Sequence, residues 1–242
     1  KTITPYRVFV SEVMLQQTQV ARVTEVFPQF MRLFPNFKTL AEAPLGKLLG
    51  VWQGMGYNRR VLYLKKAAEA VMRDYRGRLP RDPKDLEALA GIGPATARSI
   101  AVYAWNAPVA FIETNVRAVF LHHFFAGQNN VSDSRLLPIV EKALDTKQSR
   151  EWHYALMDYG AMLKRAHKNP SRASAHHAKQ SKFEGSLRET RGKIVRLLSG
   201  TILTDAALAK RAVEPPAKVR AALTGLVRDG LVRQKGVKFN IS

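Results

Sequence analysis

A chain of 242 residues, 46% of them hydrophobic and with a formal net charge of +20, can bury a sizeable core. Its charge calls for a polyanionic partner, nucleic acid ahead of an anionic membrane surface. No apolar run is long enough to span a membrane and no charged-then-apolar leader opens the chain, and the absence of cysteine excludes disulfides, thiolate zinc sites and a cysteine-ligated iron–sulfur cluster.

The first residue is Lys1 rather than methionine, so a trimmed N-terminus without its opening helix is expected. The stretch SEVMLQQTQV, Ser11 to Val20, reads as a helix start with Val10, Val13, Met14 and Val20 toward a core. Glu12, Gln16 and Gln17 then share a face, because positions three and four apart are neighbours on a helix. Two readings stay open there. Ser11 caps the helix and Glu12 complements its dipole, or the acid and the two amides form a site.

Helical spacing continues through VTEVFPQFMRLFPNF, LGKLLGVW and LYLKKAAEAVMRDY, with Pro28, Pro35, Pro44, Pro80 and Pro83 falling between segments as breakers. In LAGIGPATARSIAVYAW, Leu89 ends a helix, Gly91-Ile92-Gly93 makes a tight turn and Pro94 opens the next helix. Glycines permit close backbone approach and a helix N-terminus leaves free N–H groups, a combination suited to a DNA phosphate. An ordinary connection between two helices has the same pattern. Further helices are expected over TNVRAVFLHHFF, RLLPIVEKALD and EWHYALMDYGAMLK.

Residues 166–181 lose apolar periodicity and read as a polar linker or ordered loop. His167, His176 and His177 lie there, but without cysteine or nearby acids a polar loop is the better reading than a metal site. Residues 182–242 order as three helices and a pair of short strands around Gly236, a winged-helix-like module. Lys218, Arg220 and Arg228 fall on its third helix, where basic side chains favour phosphate contact. A protein-contact module could take the same shape.

The segments PYRVFVSEVMLQQTQV, LFPNFKTLAEAPLGKLLGVWQGMGYNRR, LEALAGIGPATARSIAVYAW, IETNVRAVF and MDYGAMLK, in that order, resemble the helix-hairpin-helix DNA glycosylases, most closely their bacterial adenine-specific branch. The resemblance implies a mainly α, two-lobed fold: 1–14 with 110–165 as one lobe and 15–109 as the other, followed by the linker and the winged-helix-like module. The site is expected in the cleft between the lobes. The resemblance puts Glu12 on the acid that protonates the leaving base, and Gln16 and Gln17 on residues that enter the base stack. It puts Tyr57 on an aromatic wedge at the opposite strand, and Gly91, Ile92 and Gly93 on the backbone-phosphate clamp.

Such an enzyme flips a base out of the duplex, protonates it and stabilises a cationic sugar with a second carboxylate. The family's second carboxylate is an aspartate. Here Glu113 takes its place, with Asn115 two residues on, and the extra methylene must be absorbed by the site or cost rate. Thr114 beside it suggests the alternative of a plain helix cap.

Bifunctional relatives carry a lysine nucleophile where Ala95 stands, which implies base release without strand cleavage. Lys164 occupies the first position of the family's four cluster cysteines, so the phosphate-binding role is expected of Lys164, Arg165, Lys168 and Arg172. The implied function is hydrolysis of the N-glycosidic bond of adenine mispaired with guanine or 8-oxoguanine. Excision of mismatched thymine or uracil is the alternative, as is a DNA-binding protein that kept the fold and lost catalysis. No cofactor is expected beyond a monovalent cation that the hairpin could hold. The expected partner is duplex DNA with a mismatched or damaged base, bound by a monomer in the cytoplasm, on the nucleoid and away from membranes.

Overall fold

The structure, a computed structural model, describes residues 3–167, 169–177 and 182–242. Lys168 and residues 178–181 of the expected linker lie outside the described residues. Helices come first: α1 (Pro5–Leu15), α2 (Val20–Leu33), α3 (Phe37–Glu42), α4 (Leu45–Val51) and α5 (Arg59–Asp74). Then follow α6 (Pro83–Glu87), α7 (Pro94–Trp105), α8 (Thr114–Phe124), α9 (Asp133–Ala143) and α10 (Ser149–Ala166). After a 3-10 turn at Pro170–Ala173 come α11 (Leu187–Leu197), β1 (Leu203–Thr204), α12 (Asp205–Ala212), α13 (Pro216–Arg228), β2 (Val232–Lys235) and β3 (Lys238–Ile241). The class is mainly α, as expected, and no described helix is long and apolar enough to cross a membrane.

Two boundaries differ from the expectation. Pro28 lies inside α2 rather than between helices. It is exposed, so the Thr24 carbonyl left without its helical partner is on the solvent side, which moderates the cost of an interior proline. The hairpin's first helix stops at Glu87, which leaves Leu89 in the turn, its side chain buried.

The chain forms two compact units. One comprises Lys1–Phe9, Pro80–Ala88 and Ile92–Gln180; the other comprises Val10–Leu79, Leu89–Gly91 and Ser181–Ser242. This partition differs from the lobes expected above, because the hairpin helices cluster with α8–α10 and the C-terminal module clusters with α2–α5. The core of the first unit gathers Val116, Phe120, Leu121, Val131, Leu136 and Leu163. Gly160 on α10 lets that helix lie against the Asn115 carbonyl of α8, where an added Cβ would collide.

In the second unit, Trp52 is fully buried edge-on to Phe30, with ring centroids 6.1 Å apart. The C-terminal residues have the winged-helix order of three helices and a hairpin. The sheet order is β1-β3-β2, all antiparallel, with Lys235 opposite Lys238 across the Gly236 turn. Strand β1 was not anticipated, since two residues carry no alternation to read. Asp229, just past α13, pairs with Arg191 of α11 and, at 3.2 Å, with Arg59 at the start of α5. A Cβ on Gly230 would touch Leu62 of α5 at 3.8 Å. These contacts explain why the module belongs to this unit.

One side chain ties the second unit together. Arg60 is 8% exposed. Its Nη1 donates to the carbonyls of Val13 at 3.0 Å and Met14 at 2.8 Å, in the last turn of α1. Its Nη2 donates to Thr18 Oγ1 at 2.8 Å and to the carbonyls of Met55 at 2.8 Å and Gly56 at 3.2 Å. The guanidinium also lies over Trp52 and Tyr57, at 5.3 and 5.8 Å from the ring centroids. Burial pushes its pKa down to about 10, so it stays charged at neutral pH.

Replacing Arg60 by methionine keeps the bulk but removes the buried donor to the Val13 and Met14 carbonyls and loosens the Met55–Gly56 loop; at ~1–3 kcal/mol for each buried acceptor that loses its donor, a loss on the order of 3 kcal/mol is expected. Arg60→Lys should recover only part, because one ammonium cannot span both chain segments. Urea unfolding midpoints check this; a midpoint unchanged in the methionine variant would remove the clamp.

Candidate active site

The α1 helix begins at Pro5, so Ser11 and Glu12 fall in its second half. Ser11 is not a cap. Glu12 lies in the last turn, where the negative pole of the helix disfavours an acid. The capping reading of this stretch is therefore overturned. Gln16 and Gln17 lie beyond the helix, with Gln17 exposed and at a φ of 55°, so the three polar residues do not share a helix face. Val10, Val13 and Met14 are buried as expected, but Val20 is 69% exposed. The break at 16–19 resets the helical phase, and Val20 opens α2 on its solvent side.

Gln16 instead reaches across the second unit. Its Nε2 donates to the carbonyl of Gly91 at 3.2 Å, joining the end of α1 to the hairpin turn. Gly91 has a φ of 78°, and a Cβ there would press on the Tyr63 side chain, so glycine is required twice over. Gly93 is extended and caps α7 without a side chain; a Cβ there would meet nothing within 4 Å. The space before α7 is open, Pro94 takes the first helical position, and Ala95 is exposed. Ile92 is 5% exposed, so its side chain anchors the turn and only its backbone is available to a strand.

Tyr57 sits in a loop whose Gln53, Met55 and Gly56 carbonyls are held. Arg22 donates to Gln53 at 2.8 Å, Thr18 to Met55 at 3.2 Å and the Trp52 indole to Gly56 at 3.2 Å. The loop turns through Gly54 and Gly56 at positive φ, and Tyr57 itself has a φ of 45°. Its half-buried ring lies beside the guanidiniums of Arg60 and Arg188, and Arg188 donates a hydrogen bond to its hydroxyl.

In the first unit, Glu113 is the N-cap of α8. Its Oε1 accepts from the backbone N–H of Asn115 and, at 2.8 Å, of Val116. Burial pushes its carboxyl above the usual range, against the pull of those two amides and of the Lys164 and Arg117 charges. Burial likewise lowers the Lys164 ammonium, with Glu113 opposing. Arg117 is held in a two-pronged bond to Asp133, at 2.8 and 2.6 Å. The Asn115 amide lies 3.5 Å from Met157 Sδ, and Arg165 is exposed.

On the winged-helix module the two expected cations separate. The Lys218 ammonium is bound to Glu214 at 2.8 Å, which it shares with Lys193, whereas Arg220 is exposed. Sequence reasoning missed Arg60, Arg117 and Arg188. Arg60 carried a signal: it stands on the buried stripe of α5 with Leu64, Ala67, Ala68 and Val71, where an arginine is out of place unless it is bonded. Arg117 and Arg188 carried none, because their partners are distant in sequence. Among the described residues no group of three His, Cys, Asp or Glu side chains could hold a metal ion.

Comparison with known proteins bears on this geometry. An adenine DNA glycosylase of Mycolicibacterium smegmatis (strain ATCC 700084 / mc(2)155) is 31% identical over 96% of this chain and 85% of its own length, an overlap that extends into the C-terminal module. The adenine DNA glycosylases of Buchnera aphidicola subsp. Baizongia pistaciae (strain Bp) and Mycobacterium tuberculosis (strain CDC 1551 / Oshkosh) are 31% and 34% identical, each over 66% of this chain. The chain spans about half the length of these two, 46% and 54%. Among solved structures, a thermostable thymine-DNA glycosylase superposes with a TM-score of 0.60 at 24% identity, over 66% of this chain and 76% of that one. A non-covalent endonuclease III–DNA complex gives 0.57 at 19%, over 69% and 76%. These two likenesses are of fold. The family model of HhH-GPD superfamily base excision DNA repair proteins matches residues 10–141, and the chain belongs to that superfamily.

Proposed function

We propose that this chain is a monofunctional DNA glycosylase that hydrolyses the N-glycosidic bond of a mispaired base in duplex DNA, with adenine opposite guanine or 8-oxoguanine as the favoured substrate. The observation that carries the reading is the position of Glu12. A carboxylate in the last turn of α1 works against helix stability, so its presence calls for another explanation, and acid catalysis supplies one.

In this reading the target base leaves the stack, and Gln16 and Tyr57 occupy the space it vacates. Glu12 donates a proton to the base as the bond from the base nitrogen to C1′ breaks. Glu113, as an anion, stabilises the cationic sugar. Water then adds to C1′, its proton returns to Glu12, and an abasic sugar remains. Ala95 offers no amine for a Schiff base, which supports release without strand cleavage. The hairpin amides and Gly93 would hold one phosphate, with Lys164 and Arg165 supplying charge to others. The 242 residues contain no cysteine, which supports an enzyme that works without an iron–sulfur cluster.

The cap geometry also accounts for glutamate in place of aspartate. By turning back onto the amides of Asn115 and Val116, the Glu113 side chain fixes its carboxylate against the helix start. The extra methylene is absorbed in that turn.

Glu12→Gln should abolish base release while leaving duplex binding nearly intact. Single-turnover assays on duplexes carrying adenine, thymine or uracil opposite guanine, and adenine opposite 8-oxoguanine, test both the chemistry and the base. Release from a thymine or uracil duplex alone would exclude the adenine assignment, and near-normal cleavage by the glutamine variant would remove Glu12 from the mechanism.

Glu113→Gln should cost far more rate than binding, because the charge matters only as the sugar becomes cationic. Glu113→Asp should also be impaired, since the site is built around the longer acid. The sign of the pH effect follows from the raised carboxyl. Glu113 must be ionised, so the rate falls as pH drops through its pKa, and the acid limb should lie above the ~4.3 of an ordinary glutamate. That limb should vanish in Glu113→Gln. A glutamine variant with the parent's rate and profile would reduce Glu113 to a cap.

Duplex affinity should fall steeply with salt, on the order of 10³-fold between about 50 and about 200 mM if six or more phosphates are neutralised. A flat plot of log affinity against log salt would contradict the use of the +20 charge.

A further inference from the structure

The loop around Tyr57 is gripped from both sides by side chains distant in sequence. From the body of the second unit, Arg60 holds the Met55 and Gly56 carbonyls and lies over the Tyr57 ring at 5.8 Å. From the C-terminal module, Arg188 of α11 lies over the same ring at 5.2 Å and donates to its hydroxyl. The next residues of the loop are held as well, since Arg59 pairs with Asp229 beyond α13. Arg188 also lies over Phe183, at 5.9 Å, and that ring is 57% exposed.

We infer that Arg188 is a positioning residue for Tyr57, and that the winged-helix module thereby completes the lesion-recognition surface instead of adding affinity alone. The inference rests on the glycosylase reading above. An aromatic side chain can hold open a base stack only if its ring resists displacement. Tyr57 has a left-handed backbone, which a tyrosine adopts at some cost, so the loop must be held from outside. A planar guanidinium suits this role. It stacks on the ring face while one N–H fixes the hydroxyl. A lysine could donate to the hydroxyl but not stack in this way.

The test uses the full chain and four variants: Arg188→Ala, Arg188→Lys, Tyr57→Phe and the double Tyr57→Phe/Arg188→Ala. Three measurements are made on each. The ring signals of Tyr57, labelled with ¹³C and identified by their loss in Tyr57→Phe, report the contact in the free protein. Fluorescence of 2-aminopurine beside the mismatched pair reports opening of the stack, and single-turnover release reports chemistry. Affinity for a fully paired duplex serves as the control.

In Arg188→Ala the Tyr57 signals should shift or broaden, and stack opening and release should both fall ~10- to 100-fold, in the range that misplacement near 1 Å can cause. Affinity for paired duplex should change much less. Arg188→Lys should recover only part, and the double variant should be no worse than Arg188→Ala, because the two groups act through one contact. Parent-like stack opening in Arg188→Ala would overturn the inference, as would a loss confined to paired-duplex affinity. If the parent opens the stack but releases no base, the catalytic reading fails while the Arg188 comparison still decides. If the parent opens no stack on any duplex, Tyr57 enters nothing and the inference falls too.

Discussion

Five hydrogen bonds converge on the guanidinium of Arg60, from the last turn of α1, the turn before α2 and the loop before α5. Each of those stretches ends or interrupts a helix, so its carbonyls lack helical partners and would need water or a donor. Arg60 supplies the donor from inside. The desolvation of a buried cation is offset only when most of its donors are used, and here the stacking on Trp52 and Tyr57 adds to the hydrogen bonds. The consequence reaches the candidate site directly. Glu12 lies one residue before the clamped carbonyls, Gln16 follows them, and Tyr57 follows the clamped loop. Three side chains of the proposed site adjoin one anchor.

The two glutamates show how local backbone sets the terms for a carboxylate. Glu113 is at a helix start, where two N–H groups fix one of its oxygens, so its position is defined by geometry before any substrate arrives. Its pKa is a contest, with burial raising it against the amides, Lys164 and Arg117, and the net shift is upward. Glu12 is at a helix end, where the backbone offers carbonyls and no donors. A mechanism that needs one acid to give a proton and another to stay ionised is served by placing them at opposite helix ends.

Much of this was legible in the sequence. Periodic apolar residues marked the helices, and Gly91-Ile92-Gly93-Pro94 announced a hairpin because each residue answers a backbone requirement: a positive φ, an anchor, an open cap and a helix start. Glu113 was legible as a carboxylate, but its cap bonds to Asn115 and Val116 and its burial depend on how α8 packs and were not. The start of α1 was misplaced because Pro5-Tyr6-Arg7 gives a helix no obvious cap, whereas Ser11-Glu12 imitates one. The grip on Tyr57 could not be read, as Arg188 is 131 residues away and no local pattern records the pair.

The charge of the C-terminal module follows from how its acids are used. The side chains of Asp229 and Glu214 are each nearly buried and each is shared among cations: Arg191, Arg59 and, at 3.9 Å, Arg228 on the first, and Lys193 with Lys218 on the second. These pairs fasten α11 to α13 and the module to α5, and they consume the negative charge in the interior of the module. Lys218 is thereby paired with Glu214, while Arg220 and the β2–β3 residues Arg233, Lys235 and Lys238 are exposed. Surface ion pairs contribute little to stability, but acids at this burial would be costly without their partners. The same arrangement that stabilises the module thus leaves Arg220, Arg233, Lys235 and Lys238 exposed on its outer surface. Arg188 joins the module's charge to the loop, because its guanidinium lies over the Tyr57 ring and bonds its hydroxyl.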